Sequence, residues 1–158
     1  MPLITLRPVT TEDLPIFFEH QADPVAAQLA AFPSRDRDAF FRHWTTNVLG
    51  NPANTTRTIL YDNHVAGNIG AWTDPETRER LIGYWIGRDF WGRGIATSAL
   101  SQFLEYERPR PLFAHVVQHN LPSIRVLEKC HFTRTGQNTV DLPDGTVDEE
   151  LVYTLFAR

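Results

Sequence analysis

The stretch "RDFWGRGIATSAL", residues 88–100, sets Gly92 and Gly94 one residue apart behind two aromatics, and an apolar run without proline follows. Glycine admits backbone conformations that a Cβ forbids and lets a ligand come close. The residues just before, "LIGYWIG" (81–87), read as a strand, and from Ile95 onward Ala96, Ala99, Leu100, Phe103 and Leu104 fall at helical spacing. Flexible residues at a strand-to-helix junction point to an anion resting on bare N–H groups, where the helix dipole adds about 0.3–1 kcal/mol. The amides of Gly92, Arg93, Gly94, Ile95, Ala96 and Thr97 are therefore the candidate cradle.

Two common cradles fit poorly. "GRGIAT" has Thr97 where a dinucleotide fingerprint needs its third glycine, and no acidic residue stands about twenty positions on to take a ribose. The chain has no Gly-Lys-Ser/Thr of a nucleoside triphosphate loop. A tight β–α turn without a ligand also explains two glycines, so the rest of the chain has to decide.

Outward from the loop, "LITLRP" alternates as a first strand, and Thr10 with Asp13 forms a capping-box-like start for a helix carrying Leu14, Phe17 and Phe18. Phe40, Phe41, Trp44, Val48 and Leu49 mark a second helix closing on Gly50. "RTILYDNHVAGNIGAW" (57–72) reads as two strands around an Asp62-Asn63 turn, and Gly83 and Gly87 are candidate bulge points in the next strand. "LFAHVV" (112–117) is a strand, a helix then carries Ile124, Leu127 and Cys130, and "FTRTG" and "EELVYTLF" form a terminal pair joined through "LPDG". The order β, α, α, β, β, β, α, β, α, β, β predicts one α/β domain with a mixed sheet over residues 1–158. At 42% hydrophobic and 22% charged residues the composition is that of an ordinary globule, and a net charge of −4 argues against nucleic acid as main partner. A single cysteine, Cys130, excludes an internal disulfide and a multi-cysteine metal site. His20, His43, His64 and His119 show no ligand spacing, so no metal is expected. Without a leader or a membrane-length apolar run, the expectation is a cytoplasmic protein, a monomer or homodimer.

"GYWIGRDFWGRGIATSAL" followed by "HVVQHNLPSIRVLEKCHF" resembles the Gcn5-related N-acetyltransferase (GNAT) family, and within it the ribosomal-protein N-terminal acetyltransferase branch. The family's Q/R-x-x-G-x-G/A loop falls on Trp91 to Ala96, with Trp91 in place of Gln or Arg. Its N-x-x-S block and V-L-E-K-x-G-F run fall on Asn120, Ser123 and residues 126–132, with His131 where glycine is usual, so the turn there is expected to differ.

The resemblance implies a mostly antiparallel central sheet flanked by helices, and acetyl-coenzyme A as cofactor. It places the pyrophosphate on residues 92–97, with Arg88 and Arg93 flanking, and the pantetheine along the backbone of Tyr84, Trp85 and Ile86. Asn120 would cap its helix and also contact the pantetheine arm, and Phe32, Trp72 and Trp85 would line an acceptor groove. Ser123 would protonate the leaving thiolate, since Leu127 stands where other members carry a tyrosine. Two groups compete as general base: His115, whose ordinary pKa of about 6.5 suits neutral pH, and Asp141, at the position used in the ribosomal-protein branch. Direct attack needs a neutral amine: near pKa 10.4 this costs roughly 4 kcal/mol at pH 7.4, and near 7.7–8.0 under ~1 kcal/mol. A weak base thus suits an α-amine or another amine of low pKa; the expected acceptor is a primary amine, on a protein N-terminus or on a small molecule such as a polyamine or an aminoglycoside-like antibiotic. A non-catalytic acyl-coenzyme-A-binding module is the alternative.

Overall fold

Alternation in "ITLR" makes β1 (Ile4–Arg7), which pairs antiparallel with β2 (Thr55–Tyr61) in the computed structural model, which describes residues 2–157. Asp62 and Asn63 turn the chain at φ 47° and 67°, the left-handed pair that a two-residue hairpin needs, into β3 (His64–Thr73). β3 pairs with β4 (Arg80–Ile86) without interruption from Gly67↔Ile86 to Thr73↔Arg80. The expected bulge at Gly83 is therefore absent; the irregularity falls in β2, between Ile59 and Leu60. Gly83 instead lies under the Trp72 ring, 2.9 Å from where a Cβ would stand.

β5 (Leu112–Val117) is parallel to β4 but shares only Arg80↔Leu112 and Leu81↔Phe113 with it. The paired end is pinned. Arg80 donates through Nε to buried Glu107 at 2.7 Å and through its other nitrogens to Ala53 O, Thr73 Oγ1 and Thr55 Oγ1. Beyond Leu81 the strands part, while β5 stays paired along its whole length with antiparallel β7 (Val147–Leu155), itself paired with β6 (Thr133–Asp141). The seven-stranded sheet runs β1-β2-β3-β4-β5-β7-β6, mostly antiparallel, with a wedge between β4 and β5.

The helices cover this sheet. α1 (Leu14–Ala22) starts from the Thr10–Asp13 capping box foreseen in the sequence. Asp13 is buried, and burial alone would raise its carboxyl, but bidentate bonds from Arg7 at 2.8 Å, with Thr10 N and Thr58 Oγ1, hold it at about 2. α2 (Pro24–Ala30) is a helix additional to the two expected between the first and second strands. Asp23 caps it by accepting from Val25 N, Pro24 suits its first turn, and Ala31 closes it at φ 52°. Seven residues burying only Ala26 leave no periodic stripe to read. α3 (Arg37–Arg42) widens into π-type turns over His43–Val48. α4 (Ile95–Tyr106) buries Ile95, Ala99, Leu100 and Phe103 against the sheet, and α5 (Leu121–Lys129) buries Leu127. His131 ends α5 at φ 72°, taking the left-handed conformation itself while Phe132 N bonds Leu127 O. A second apolar cluster of Leu14, Phe17 and Phe40 ties α1 to α3.

Candidate active site

The wedge leads into two cavities. The first, about 470 Å³, is walled by Tyr84, Trp85 and Ile86 of β4, the loop Phe90–Gly94, the first turn of α4, α2, and Asn120, Ser123 and Arg125. Gly92 and Gly94 sit at φ 77° and 72°, and no atom lies within 4 Å of the Cβ positions they lack. Bare backbone thus borders open space. The first α4 amide to find a backbone acceptor is Ser98 N, on Gly94 O at 3.2 Å, so those of Ile95, Ala96 and Thr97 precede the helical ladder. Trp91 Nε1 donates to Ile86 O at 2.9 Å, tying the loop to the end of β4; this is a structural reason for tryptophan at that position.

The two flanking arginines diverge. Arg93 lines the cavity, its guanidinium over the Tyr61 ring at 5.2 Å. Arg88 is not among the lining residues; it pairs with Asp23 at 3.1 Å, joining the loop to the start of α2. Arg125, which the sequence reading did not single out, lines the cavity from α5.

The second cavity, about 800 Å³, spreads over β3, β4, β5 and the tip of β6, and shares Ala30, Tyr84, Trp85, Asn120 and Ser123 with the first. At that junction Tyr84 Oη lies 2.8 Å from Ser123 Oγ and 3.2 Å from Ser123 O. Burial pushes the Tyr84 phenol far above its ordinary value, so it keeps its proton at neutral pH. Asn120 Oδ1 accepts from Ser123 N at 3.3 Å, the capping role expected of it. Cys130 packs beneath, its thiol raised by burial and directed to Thr97 O.

His115 and Asp141 both line the second cavity. His115 Nδ1 meets Glu150 Oε1 at 3.0 Å. An ionised carboxylate only accepts, so the proton sits on Nδ1 and the neutral ring offers its lone pair at Nε2. The bond from Glu150, against the opposing effect of burial, raises the imidazole above its ordinary value. Glu150 was not legible in the sequence, because its place depends on register: His115 pairs with Val152 and Val117 with Glu150, which sets the two on one face. Phe32, Trp72 and Trp85 line the same cavity, as does Trp44, which also packs on Phe17 at 5.1 Å. A second histidine braces the wall. His119 spans Asp148 Oδ2 at 2.9 Å and Gln28 O at 3.2 Å, fastening α2 to the start of α5.

A family model, "Acetyltransferase (GNAT) domain", matches residues 4–133. The chain belongs to the GNAT acetyltransferase family. It is 27% identical over 143 residues to the uncharacterized N-acetyltransferase p20 of Bacillus licheniformis, covering 84% of this chain and 80% of that one. It is 32% identical over 101 residues to YdaF of Bacillus subtilis (strain 168), named as a ribosomal N-acetyltransferase, covering 60% and 55%. The spermidine N-acetyltransferase of Vibrio cholerae, solved with CoA and spermine, superposes at TM-score 0.83 with 14% identity, covering 97% and 95%, a likeness of fold. This GNAT protein is an acetyl-coenzyme-A-dependent N-acetyltransferase. The first cavity fits that cofactor: free amides and two glycines without side chains face a space bordered by Arg93 and Arg125. No helix among the described residues is long and apolar enough to cross a membrane.

Proposed function

We propose that this N-acetyltransferase acetylates an α-amine, at a peptide N-terminus or on a small molecule, by direct attack in the second cavity. The observation that carries this reading is the His115–Glu150 pair, lining a cavity that opens onto Tyr84 and Ser123. When bound, acetyl-coenzyme A supplies an acetyl thioester. The residues 92–97, with Arg93 and Arg125, would hold its phosphates, and the edge of β4 at Tyr84, Trp85 and Ile86, which has no partner strand there, would receive the pantetheine arm, with Asn120 beside it. Arg88 acts at a distance, through Asp23 and α2.

His115 Nε2 takes the proton of the attacking amine, and Glu150 stabilises the imidazolium that forms. Asp141, at the end of β6, draws the ammonium form into the cavity and is the rival base. At the junction the Ser123 hydroxyl would supply the proton for the leaving thiolate. Either hydroxyl can donate across the 2.8 Å Tyr84–Ser123 contact; with the phenol proton on Ser123 Oγ, the serine proton is turned outward and strengthened as a donor, as chained hydrogen bonds do. The tyrosine that Leu127 replaces is thus supplied from β4 rather than from α5. One weak base of this kind suits an amine that is already partly neutral near pH 7.4.

Incubation with acetyl-coenzyme A and a panel of α-amines, lysine-type amines and polyamines, read as free thiol, tests the reading. Release with α-amines in preference to the others is expected. Cofactor binding without release from any amine would make the protein a binding module.

A further inference from the structure

The second cavity is lined by charges of both signs. Asp141 and Glu150 stand on the β6–β7 side, and Arg35 lines it from the α2–α3 connection. Arg35 is held there by design of the backbone. Buried Gln21 accepts from Arg35 N at 3.0 Å and donates to Arg35 O at 3.2 Å, while Ser34 Oγ bonds Gln21 O at 2.7 Å. The guanidinium lies 5.6 Å from the Phe32 ring centre, and Phe32 meets Trp85 edge-on at 5.8 Å. Trp85 belongs to the junction of the two cavities, so Arg35 stands one aromatic ring beyond it.

Among the described residues no carboxylate pairs with Arg35. Its neighbour Asp36 commits Oδ1 to Ala39 N at 2.8 Å as the cap of α3. His43, in the same wall, is depressed first by burial and then by the charge of Arg35, and so adds no second cation near neutrality. A guanidinium on an aromatic shelf, with no carboxylate partner among the described residues, in a cavity that also carries Asp141 and the Glu150–His115 pair, complements an acceptor with an amine at one end and an anion at the other.

We infer that Arg35 is the anion subsite of the acceptor cavity, and that the acceptor is an α-amine carrying a carboxylate several bonds away, as at the N-terminus of an acidic peptide. A carboxylate on the amine's own α-carbon is too close to reach past Phe32 to the guanidinium. A polyamine would bring a second ammonium to Arg35, and like charges repel. The inference rests on the acetyl-transfer reading only for which end of the acceptor lies at the junction.

The test uses blocked dipeptides Ala-Glu amide, Ala-Gln amide and Ala-Lys amide, with unblocked Ala-Gln to present a chain-terminal carboxylate. Two readouts run in parallel: kcat/KM for thiol release, and calorimetric binding to protein saturated with coenzyme A. A charge-assisted bond to the carboxylate should favour the Glu over the Gln amide by about tenfold to a hundredfold, mostly in KM. Arg35→Gln should bring that ratio close to one, and Arg35→Lys should restore part of it, which a merely structural role for Arg35 would not do. A preference for unblocked Ala-Gln over the Glu amide would assign the subsite to a chain terminus; the opposite order would assign it to an acidic side chain. Equal use of the Glu and Gln amides by wild type, a preference for the Lys amide, or a ratio that survives Arg35→Gln would overturn the inference. Selective binding without thiol release would count against acetyl transfer alone, and thiol release without selectivity against the subsite alone.

Discussion

The two cavities are built from different materials. The first cavity, proposed for the cofactor, is mostly main chain: unpaired strand edge, two left-handed glycines and a helix start, contributed by two short runs of sequence. The second cavity, proposed here for the acceptor, is mostly side chains, drawn from Phe32 to Glu150 and meeting where the sheet splays. A backbone cradle recognises one invariant group, and few substitutions tune it. A side-chain wall can change its acceptor one residue at a time while the cradle stays the same.

The largest effect that separates the two sides is expected at Gly94. Gly94→Glu would put a carboxylate into open space beside the free amides, at a φ that costs a non-glycine residue about 1–2 kcal/mol. Calorimetric affinity for coenzyme A should fall by roughly a hundredfold or more, since like charge repels the pyrophosphate and the strained turn loosens the amides. Unchanged affinity in a folded variant would remove the loop from the cofactor site. A smaller effect is expected at the junction. Tyr84→Phe removes one hydrogen bond worth about 1 kcal/mol, so kcat should drop by about fivefold with little change in KM for the acceptor. A KM effect alone would make Tyr84 part of the acceptor wall instead. The smallest is at Arg88, which is paired with Asp23 outside the cavity wall. Arg88→Ala should leave coenzyme A affinity within about twofold, because an exposed ion pair contributes little. A tenfold loss, suppressed by salt, would return Arg88 to the phosphates.

The same contrast explains what could be read in advance. The succession of strands along the chain, the capping box at Thr10 and the buried face of α4 follow from periodicity and local chemistry, and the candidate cradle follows from two glycines at a junction. Glu150 and Arg35 could not be read this way. One depends on the β5–β7 register and the other on a glutamine fourteen residues earlier in the chain. α2 hid because a short helix that buries one alanine has no stripe. Gly83 read as a bulge because sequence shows a missing side chain but not the Trp72 ring that requires its absence. His131 shows the converse: the left-handed turn survives without glycine.

The most direct test of the account is the pH dependence of kcat/KM in wild type, Glu150→Gln and His115→Ala, with coenzyme A affinity measured alongside. Glu150 raises the His115 pKa above 6.5, and only the neutral ring accepts a proton, so the wild-type rate should climb through an apparent pKa above 6.5. Removing the carboxylate charge removes that upward shift, so the Glu150→Gln profile should move to lower pH. His115→Ala should lose about a hundredfold near neutrality and recover at high pH, where the amine deprotonates unaided. Cofactor affinity should stay level in all three. Superimposable profiles, or an equal loss reproduced by Asp141→Asn alone, would contradict His115 as the base.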